Sequence, residues 1–362
     1  ITSRGPPATA VPPLAGMGGA DGGGGGGGGR QADVRIGCSG FAYPHWRKGA
    51  FYPAGALCAA KDELRWYAGR LCTVEVNATF YAMPKTENFE KWAAQVRSSG
   101  NGRFEFAVKA PKAITHEARL GGEAAIGGAC ELLRRLSALG GYSGPVLFQT
   151  PPSLARDDSR LRGLLEACAP FGARLAFEFR CRSWDSPEVD AILAAAGAAR
   201  VEVVYPFDKT DPPEVRHQRQ TTRMLRRSAL PGAALTYIRM GHSAAAESRG
   251  EVSEFGNEQL RLLANELAVR RRQEGAPPIY VYFMNDLEAR APHNARSLCV
   301  ALATASGGAP PPRAGGGGGG AAGSGARGGR GRGGRNAGRM AHRGCIQRHR
   351  SEPRRRLRGA HT

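Results

Sequence analysis

The segment TVEVNATFYAMPKTENFEKWAAQVRSSGNGRFEFAVKA, residues 73–110, holds the pattern that decides the fold of this 362-residue chain. A β-rich run at 73–77 leads into a helix-length run at 86–97, and a second β-rich run ends at 109. A strand, a helix and a strand in this order form the repeating unit of a parallel sheet covered by helices. The same alternation continues from this segment in both directions along the chain.

Outward from this segment, the alternation predicts eight strands. They are expected at 34–38, 73–77, 104–109, 146–149, 175–179, 201–204, 235–240 and 279–284. Helices are expected at 62–70, 86–97, 123–139, 158–168, 186–196, 215–228, 254–272 and 291–304. Eight such units over about 270 residues fit a single α/β domain, a (β/α)8 barrel of TIM type. A doubly wound open sheet is the alternative, but its usual glycine-rich phosphate turn is not found in GCSGF at 37–41.

Low-complexity segments lie on both sides of the expected barrel. Residues 22–29 are an unbroken glycine run, and residues 315–320 are another. Such segments bury almost no apolar surface and lose much entropy on ordering. We therefore expect a disordered Gly/Pro-rich segment at 1–33, one barrel at 34–305 and a disordered Gly/Arg-rich tail at 306–362.

The positive charge of the chain is concentrated in this tail. Residues 306–362 hold 13 Arg and one acidic residue, Glu352, which gives +12 of the total +20. Residues 1–33 are neutral, so the barrel carries 20 − 12 = +8. The stretch RGGRGRGGR at 327–335 resembles an arginine–glycine RNA-binding segment, so nucleic acid is a candidate partner, mainly through the tail. The alternative is compositional drift in a GC-rich coding sequence or a mistaken gene model.

Cysteine spacing and hydropathy place further limits on the protein. The eight cysteines form no C-x-x-C pair, which favours reduced thiols over a disulfide scaffold. No apolar run approaches the roughly 18 residues of a membrane span, which predicts a soluble protein without a membrane partner. The first residue is Ile1, so we expect a fragment or a processed product. The compartment therefore stays open between the cytoplasm and an organelle lumen.

Polar residues end most of the predicted strands, which is where the active sites of such barrels lie. Residues two apart share a face of a strand. This alternation turns toward the lumen Glu75, Asn77, Lys109, Gln149, Glu178, Arg180, Tyr237, Arg239, Val281, Phe283 and Asn285, with Asp286 just outside. Charges inside a barrel must be paired or hydrogen-bonded. The pattern therefore predicts either a satisfied salt-bridge network or a preorganised site for a small polar or anionic ligand.

Aromatic and histidine residues follow several of these strands on the loops. They are Tyr43 and Trp46 after the first strand, Tyr81 after the second, His116 after the third, Trp184 after the fifth and His242 after the seventh. Aromatic side chains above a polar lumen suit a ring-shaped or sugar-like ligand. A histidine in this position can move a proton, although an isolated loop histidine is also an ordinary surface residue.

Six motifs at these strand ends resemble, in order, those of the domain of unknown function 72 family, also called YecE-like. They are Gly37-Cys38-Ser39-Gly40-Phe41, Glu75-Val76-Asn77-Ala78-Thr79-Phe80-Tyr81, Phe106-Ala107-Val108-Lys109-Ala110, Phe148-Gln149-Thr150-Pro151-Pro152, Phe177-Glu178-Phe179-Arg180 and Tyr282-Phe283-Met284-Asn285-Asp286. The resemblance implies a (β/α) barrel with no established activity. The chain departs from the family pattern at Cys38 and Phe41, and Gly241-His242 inverts the usual His-Gly pair.

These residues support three hypotheses of function. The first is an enzyme that uses Glu75 and Glu178 as acid and base on a small polar or phosphorylated substrate, while Lys109 and Arg180 hold an anion and His116 shuttles a proton. A Schiff base at Lys109 is a less favoured variant of it. The second is a nucleic-acid-binding or processing protein, and the third is a ligand-binding scaffold without catalysis. We predict no catalytic metal and no cofactor, because only His116 and His242 stand near strand ends.

Overall fold

The computed structural model describes residues 31–54, 59–206, 231–241 and 253–307. The helix expected at 215–228, and His242, lie outside these ranges. Nearly all of the two expected flanks lies outside them as well, so flank disorder stays a prediction.

Within the described residues, nine parallel strands form one sheet. They are β1 (Val34–Ser39), β2 (Thr73–Val76), β3 (Glu105–Lys109), β4 (Ser143–Gln149), β5 (Leu175–Glu178), β6 (Ala199–Arg200), β7 (Glu202–Val204), β8 (Thr236–Met240) and β9 (Ile279–Phe283). Their order is β6-β5-β4-β3-β2-β1-β9-β8-β7. Only Val201 separates β6, which pairs with β5, from β7, which pairs with β8. The two pieces form one split strand that nearly closes an eight-stranded barrel, and the prediction of a TIM-type α/β barrel is confirmed.

Seven α-helices in the described residues follow the strands and surround the sheet. They are α1 (Glu63–Ala68), α2 (Thr86–Arg97), α3 (Gly122–Leu136), α4 (Asp158–Cys168), α5 (Pro187–Ala195), α6 (Asn257–Arg270) and α7 (Arg290–Ala305). Local signals fix some of the helix starts. The Asp157 side chain accepts a hydrogen bond from the backbone of Arg160 at the start of α4, and the Ser186 side chain caps α5 ahead of Pro187. The predicted bounds of α2 and α4 are matched, and the others differ by up to three residues.

The strands separate two apolar layers. The outer layer, between sheet and helices, includes Val74, Phe106 and Phe177, all with no exposed surface. The inner layer fills the lumen and consists of Ala107, Leu147, Ala176, Ala199, Val201, Leu235, Tyr237, Tyr280 and Tyr282. Successive side chains of a strand point to opposite faces, so each strand supplies both layers.

Strand β9 turns toward the lumen the face that we expected to point outward. Val281 and Phe283 belong to the outer layer, and Phe283 packs edge-on against Phe255. Tyr280 and Tyr282 face inward instead, because the lumen offers partners for their hydroxyl groups. The Tyr282 hydroxyl, for example, lies 2.9 Å from Thr73 Oγ1. The expectation that Val281, Phe283 and Asn285 share the lumenal face is therefore wrong.

A polar cluster lies at the end of the barrel where the strands begin, and we call Arg35, Glu105, Arg174 and Tyr280 the lower cluster. Glu105 Oε1 lies 2.8 Å from Arg35 Nη2. Glu105 Oε2 accepts from Arg174 Nη2 at 2.7 Å and from the Tyr280 hydroxyl at 2.6 Å. With the inner apolar layer above it, this cluster closes one end of the lumen.

Gly37 lets β1 approach β2 unusually closely. A Cβ atom at this position would lie 1.9 Å from the backbone oxygen of Thr73, with which Gly37 is in register. This pairing holds β1 in place, and Ser39 at its end reaches the barrel mouth.

Among the helices that the structure describes, none is both long and apolar enough to cross a membrane.

Candidate active site

Arg239, at the end of β8, is the centre of a hydrogen-bonded network at the mouth of the barrel. We call its members the rim network: Ser39, Glu75, Asn77, Gln149, Glu178, Arg180, Tyr237 and Arg239. The Arg239 side chain donates from Nε and Nη2 to the two Glu75 oxygens, at 3.1 and 2.8 Å. Its Nη1 donates to Glu178 Oε2 at 2.6 Å. One guanidinium group therefore joins carboxylates from β2 and β5 across the lumen.

Glu75 is enclosed by donors. Besides Arg239, its carboxylate accepts from the Ser39 hydroxyl at 2.5 Å and from the Tyr237 hydroxyl at 2.7 Å. Ser39 in turn accepts from Asn77 Nδ2 at 2.5 Å. The Glu75 side chain has no exposed surface, so it cannot contact a ligand.

Glu178 lies nearer the solvent. Its Oε1 atom accepts from Gln149 Nε2 at 2.7 Å and from Arg180 Nε at 3.2 Å. Arg180 is 47% exposed, and its contact with Glu178 is made through Nε. This side chain is the part of the rim network that a ligand can reach.

Charge pairing outweighs burial in this network. Burial alone lowers the pKa of the Arg239 guanidinium, but the charges of Glu75 and Glu178 raise it above its ordinary value. Burial alone raises the pKa of Glu178, but the charges of Arg239 and Arg180 hold it below the ordinary range. Arg239 and Glu178 are thus both ionised at neutral pH.

Lys109, at the end of β3, has a different environment. No carboxylate among the described residues lies within ion-pair distance of its Nζ atom, which sits 4.3 Å from the centre of the Phe80 ring. Burial, followed by the positive charge of Arg239, lowers the pKa of Lys109 to about 8. The contact with Phe80 supports the charged form by roughly 0.5–1 kcal/mol, which is less than one pKa unit.

His116 packs against the ring of Phe80 as well. Its ring centre is 5.0 Å from that of Phe80, in an edge-to-face arrangement, and its Nδ1 lies 2.8 Å from the Thr115 hydroxyl. Burial, followed by the charges of Lys109 and Arg180, lowers its pKa. Lys109 and His116 therefore form, together with Arg180 of the rim network, a group of basic side chains.

Three residues that we expected at the mouth lie elsewhere. Trp46 and Trp184 have no exposed surface, and their indole N–H groups donate to the backbone oxygens of Asp286 and Leu154, each at 2.8 Å. They pack the loops and cannot stack on a ligand. Asn285 donates to Ser253 O and to Asn294 Oδ1 on α7, so it faces the helices.

Three of the remaining predicted loop residues, Tyr43, Tyr81 and Asp286, lie in the described part of the chain. The Tyr43 hydroxyl donates to Ser39 O at 2.7 Å, and Asp286 Oδ2 lies 3.4 Å from His45 Nε2. Tyr81 is 75% exposed. His242 lies outside the described residues, and its role stays a prediction.

The sequence prediction missed two members of the site, Ser39 and Phe80. Ser39 ends β1 two residues after Gly37, so the rule of alternation could have found it. Phe80 carries no polar atom, and only the structure shows that Lys109 and His116 share its ring. In the part of the chain that the structure describes, no three His, Cys, Asp or Glu side chains are grouped to hold a metal.

Comparisons with known proteins agree with this architecture. The model of the family described as "Protein of unknown function DUF72" matches residues 35–315. A DUF72 family protein from Thermotoga maritima is 23% identical, with a TM-score of 0.54, and the match covers 74% of this chain and 98% of that one. A DUF72 family protein from Enterococcus faecalis is 18% identical, with a TM-score of 0.55, and the match covers 74% of this chain and 95% of that one. Both similarities concern the fold alone, and no curated protein matches the chain. Because the family model spans most of its length, this chain belongs to the DUF72 family.

Proposed function

We propose that this protein is an enzyme that acts on a small anionic molecule at the barrel mouth, with Lys109 as the group that exchanges a proton. The observation that carries the proposal is the Lys109 amino group, which has no carboxylate partner among the described residues and a pKa lowered to about 8. A general acid or base works best when its pKa lies near the working pH.

The two carboxylates are poorer candidates for this role than the sequence suggested. Glu75 has no exposed surface, and four hydrogen bonds occupy its oxygens. The pKa of Glu178 is held low, so it is a poor acid at neutral pH. We assign both carboxylates to positioning Arg239 and Arg180.

The charge balance at the mouth favours an anion. Within the described part of the mouth, Glu75 and Glu178 are offset by Arg239 and Arg180, which leaves the charge of Lys109 as the surplus. The exposed end of Arg180 can bind a carboxylate or phosphate through two parallel hydrogen bonds. Arg180 and Lys109 would also stabilise negative charge that develops on the bound molecule during a reaction.

A panel of small phosphates, carboxylates and sugars tests the proposal by thermal unfolding. A ligand present at about 100 times its Kd should raise the Tm by roughly 5 °C or more. Arg180→Gln and Lys109→Met should each weaken binding about 10- to 100-fold, since each removes a charge-assisted contact. Arg97→Gln, on an exposed residue at the end of α2, is the control and should bind as the wild type does.

The outcomes of this panel separate the hypotheses. If no anion stabilises the wild type, or if Arg97→Gln weakens binding as much as Arg180→Gln does, the proposed site is wrong. Any ligand found is then incubated with the protein and recovered. Recovery of the unchanged ligand would favour a binding scaffold over an enzyme.

A further inference from the structure

Among the residues that the structure describes, the rim network leaves one amine without a counter-ion. Arg239 donates three hydrogen bonds to Glu75 and Glu178, and Arg180 donates one more to Glu178. Lys109 is close enough for both carboxylates to affect its pKa, yet neither lies within ion-pair distance of Nζ. A lysine that was needed only for its charge would be expected to pair with one of them.

This arrangement gives Lys109 the properties of a nucleophile. An amine attacks a carbonyl only in its neutral form, which burial and neighbouring cations favour. In the described ranges, the charged and titratable groups that affect it are Glu75 from β2, Glu178 and Arg180 at β5, Arg239 from β8, and His116. With a pKa of about 8, roughly a tenth of Lys109 is neutral at pH 7.

We infer that Lys109 forms a Schiff base with the carbonyl carbon of a small 2-oxo acid whose carboxylate is held by Arg180. The inference rests on the proposed function for its anionic substrate, and it adds the class of that substrate. Lys109 ends β3 and Arg180 follows β5, with only β4 between these strands, so a molecule that reaches both side chains is short. A 2-oxo acid has its carboxylate directly beside its carbonyl.

The step conserves atoms and charge. Nζ of neutral Lys109 forms a bond to the carbonyl carbon, and the π electrons move to the carbonyl oxygen, which takes up a proton. The nitrogen of this carbinolamine loses a proton, and neutral His116, beside the same Phe80 ring, can accept it. The hydroxyl group then leaves as water with the proton that His116 had accepted, while the nitrogen lone pair forms the C=N bond. The solvent supplies the proton that the carbonyl oxygen takes up. The products are one iminium ion and one water, and no oxidation takes place.

Reductive trapping tests the inference on the full chain. Pyruvate is added with cyanoborohydride, which reduces an iminium to a stable amine, and modified lysines are located by peptide mass spectrometry. We expect Lys109 to be modified at least tenfold faster than Lys112, an exposed lysine that lies 3.0 Å from Glu117. Acetone, which lacks the carboxylate, should lose the part of this preference that Arg180 supplies, so its ratio of Lys109 to Lys112 modification should be well below that of pyruvate. The rate at Lys109 should rise with pH around a midpoint of about 8.

Two variants separate this inference from the proposed function. Lys109→Arg keeps the positive charge without the nucleophile, so it should lose the adduct and still bind anions. Lys112→Arg should keep both. Equal modification of all exposed lysines by pyruvate, or anion binding at the mouth without an adduct at Lys109, would overturn the Schiff base and leave the anion site standing. Absence of both the adduct and anion binding would overturn the two proposals together.

Discussion

At the scale of single residues, the shape of the arginine side chain decides the site. Arg239 contacts Glu75 through two nitrogens and Glu178 through a third. The planar guanidinium places these donors in a rigid fork, which a lysine ammonium on a flexible stem cannot reproduce. The two carboxylates can therefore be buried together only with an arginine between them.

Arg239→Lys should consequently destabilise the protein by about 3 kcal/mol, because one buried carboxylate loses its partner. Urea unfolding followed by circular dichroism measures the change. Arg103→Lys is the matched control, since Arg103 pairs with Asp33 but is 53% exposed. It should change the free energy of unfolding by less than about 0.5 kcal/mol. Equal effects of the two substitutions would show that Arg239 is not the structural centre of the network.

At the scale of strands, alternation predicted the lumenal face wherever charged residues mark it. Glu75, Gln149, Glu178 and Arg239 lie together as their positions in β2, β4, β5 and β8 indicated. The rule failed in β9. Tyr280 and Tyr282 each combine an apolar ring with a polar hydroxyl group, so either face of the strand can accommodate them. Sequence could not show which charges pair, because Arg239 and Glu75 are 164 residues apart. For the same reason, sequence could not show that Lys109 has no carboxylate partner among the residues described.

The close contact of β1 with β2 gives a sharp test of the barrel. Gly37→Ala would place a Cβ atom 1.9 Å from Thr73 O, so the two strands must separate. We expect a loss of more than about 4 kcal/mol, seen as loss of soluble folded protein or a greatly lowered Tm. Gly102→Ala, where a Cβ would have no neighbour within 4 Å, should fold normally. A normal Tm for Gly37→Ala would mean that the β1–β2 register differs from the one described.

At the scale of the whole molecule, charge is divided unevenly along the chain. Residues 306–362 carry +12 of the net +20, and the rest of the chain carries +8. A basic segment of this kind binds phosphate backbones without reading their sequence. Any affinity for nucleic acid is therefore expected to depend on the tail and to be separate from the chemistry at the barrel mouth.

Deletion of residues 308–362 tests this separation. The full chain should bind labelled single-stranded RNA with an affinity that falls steeply as salt rises, because each neutralised phosphate releases counter-ions. The shortened chain should lose this binding and keep the Tm and anion binding of the full chain. Undiminished RNA affinity after the deletion would instead place the nucleic-acid site on the barrel.

The lower cluster has a kinetic consequence. With Glu105 tied to Arg35, Arg174 and Tyr280, and the tyrosines above it packed tightly, the barrel has a floor and is not a tunnel. A molecule that reaches Lys109 must leave through the same opening by which it arrived. If the protein is the enzyme that we propose, substrate and product therefore pass through the same opening, and a product that remains bound to Arg180 would exclude the next substrate.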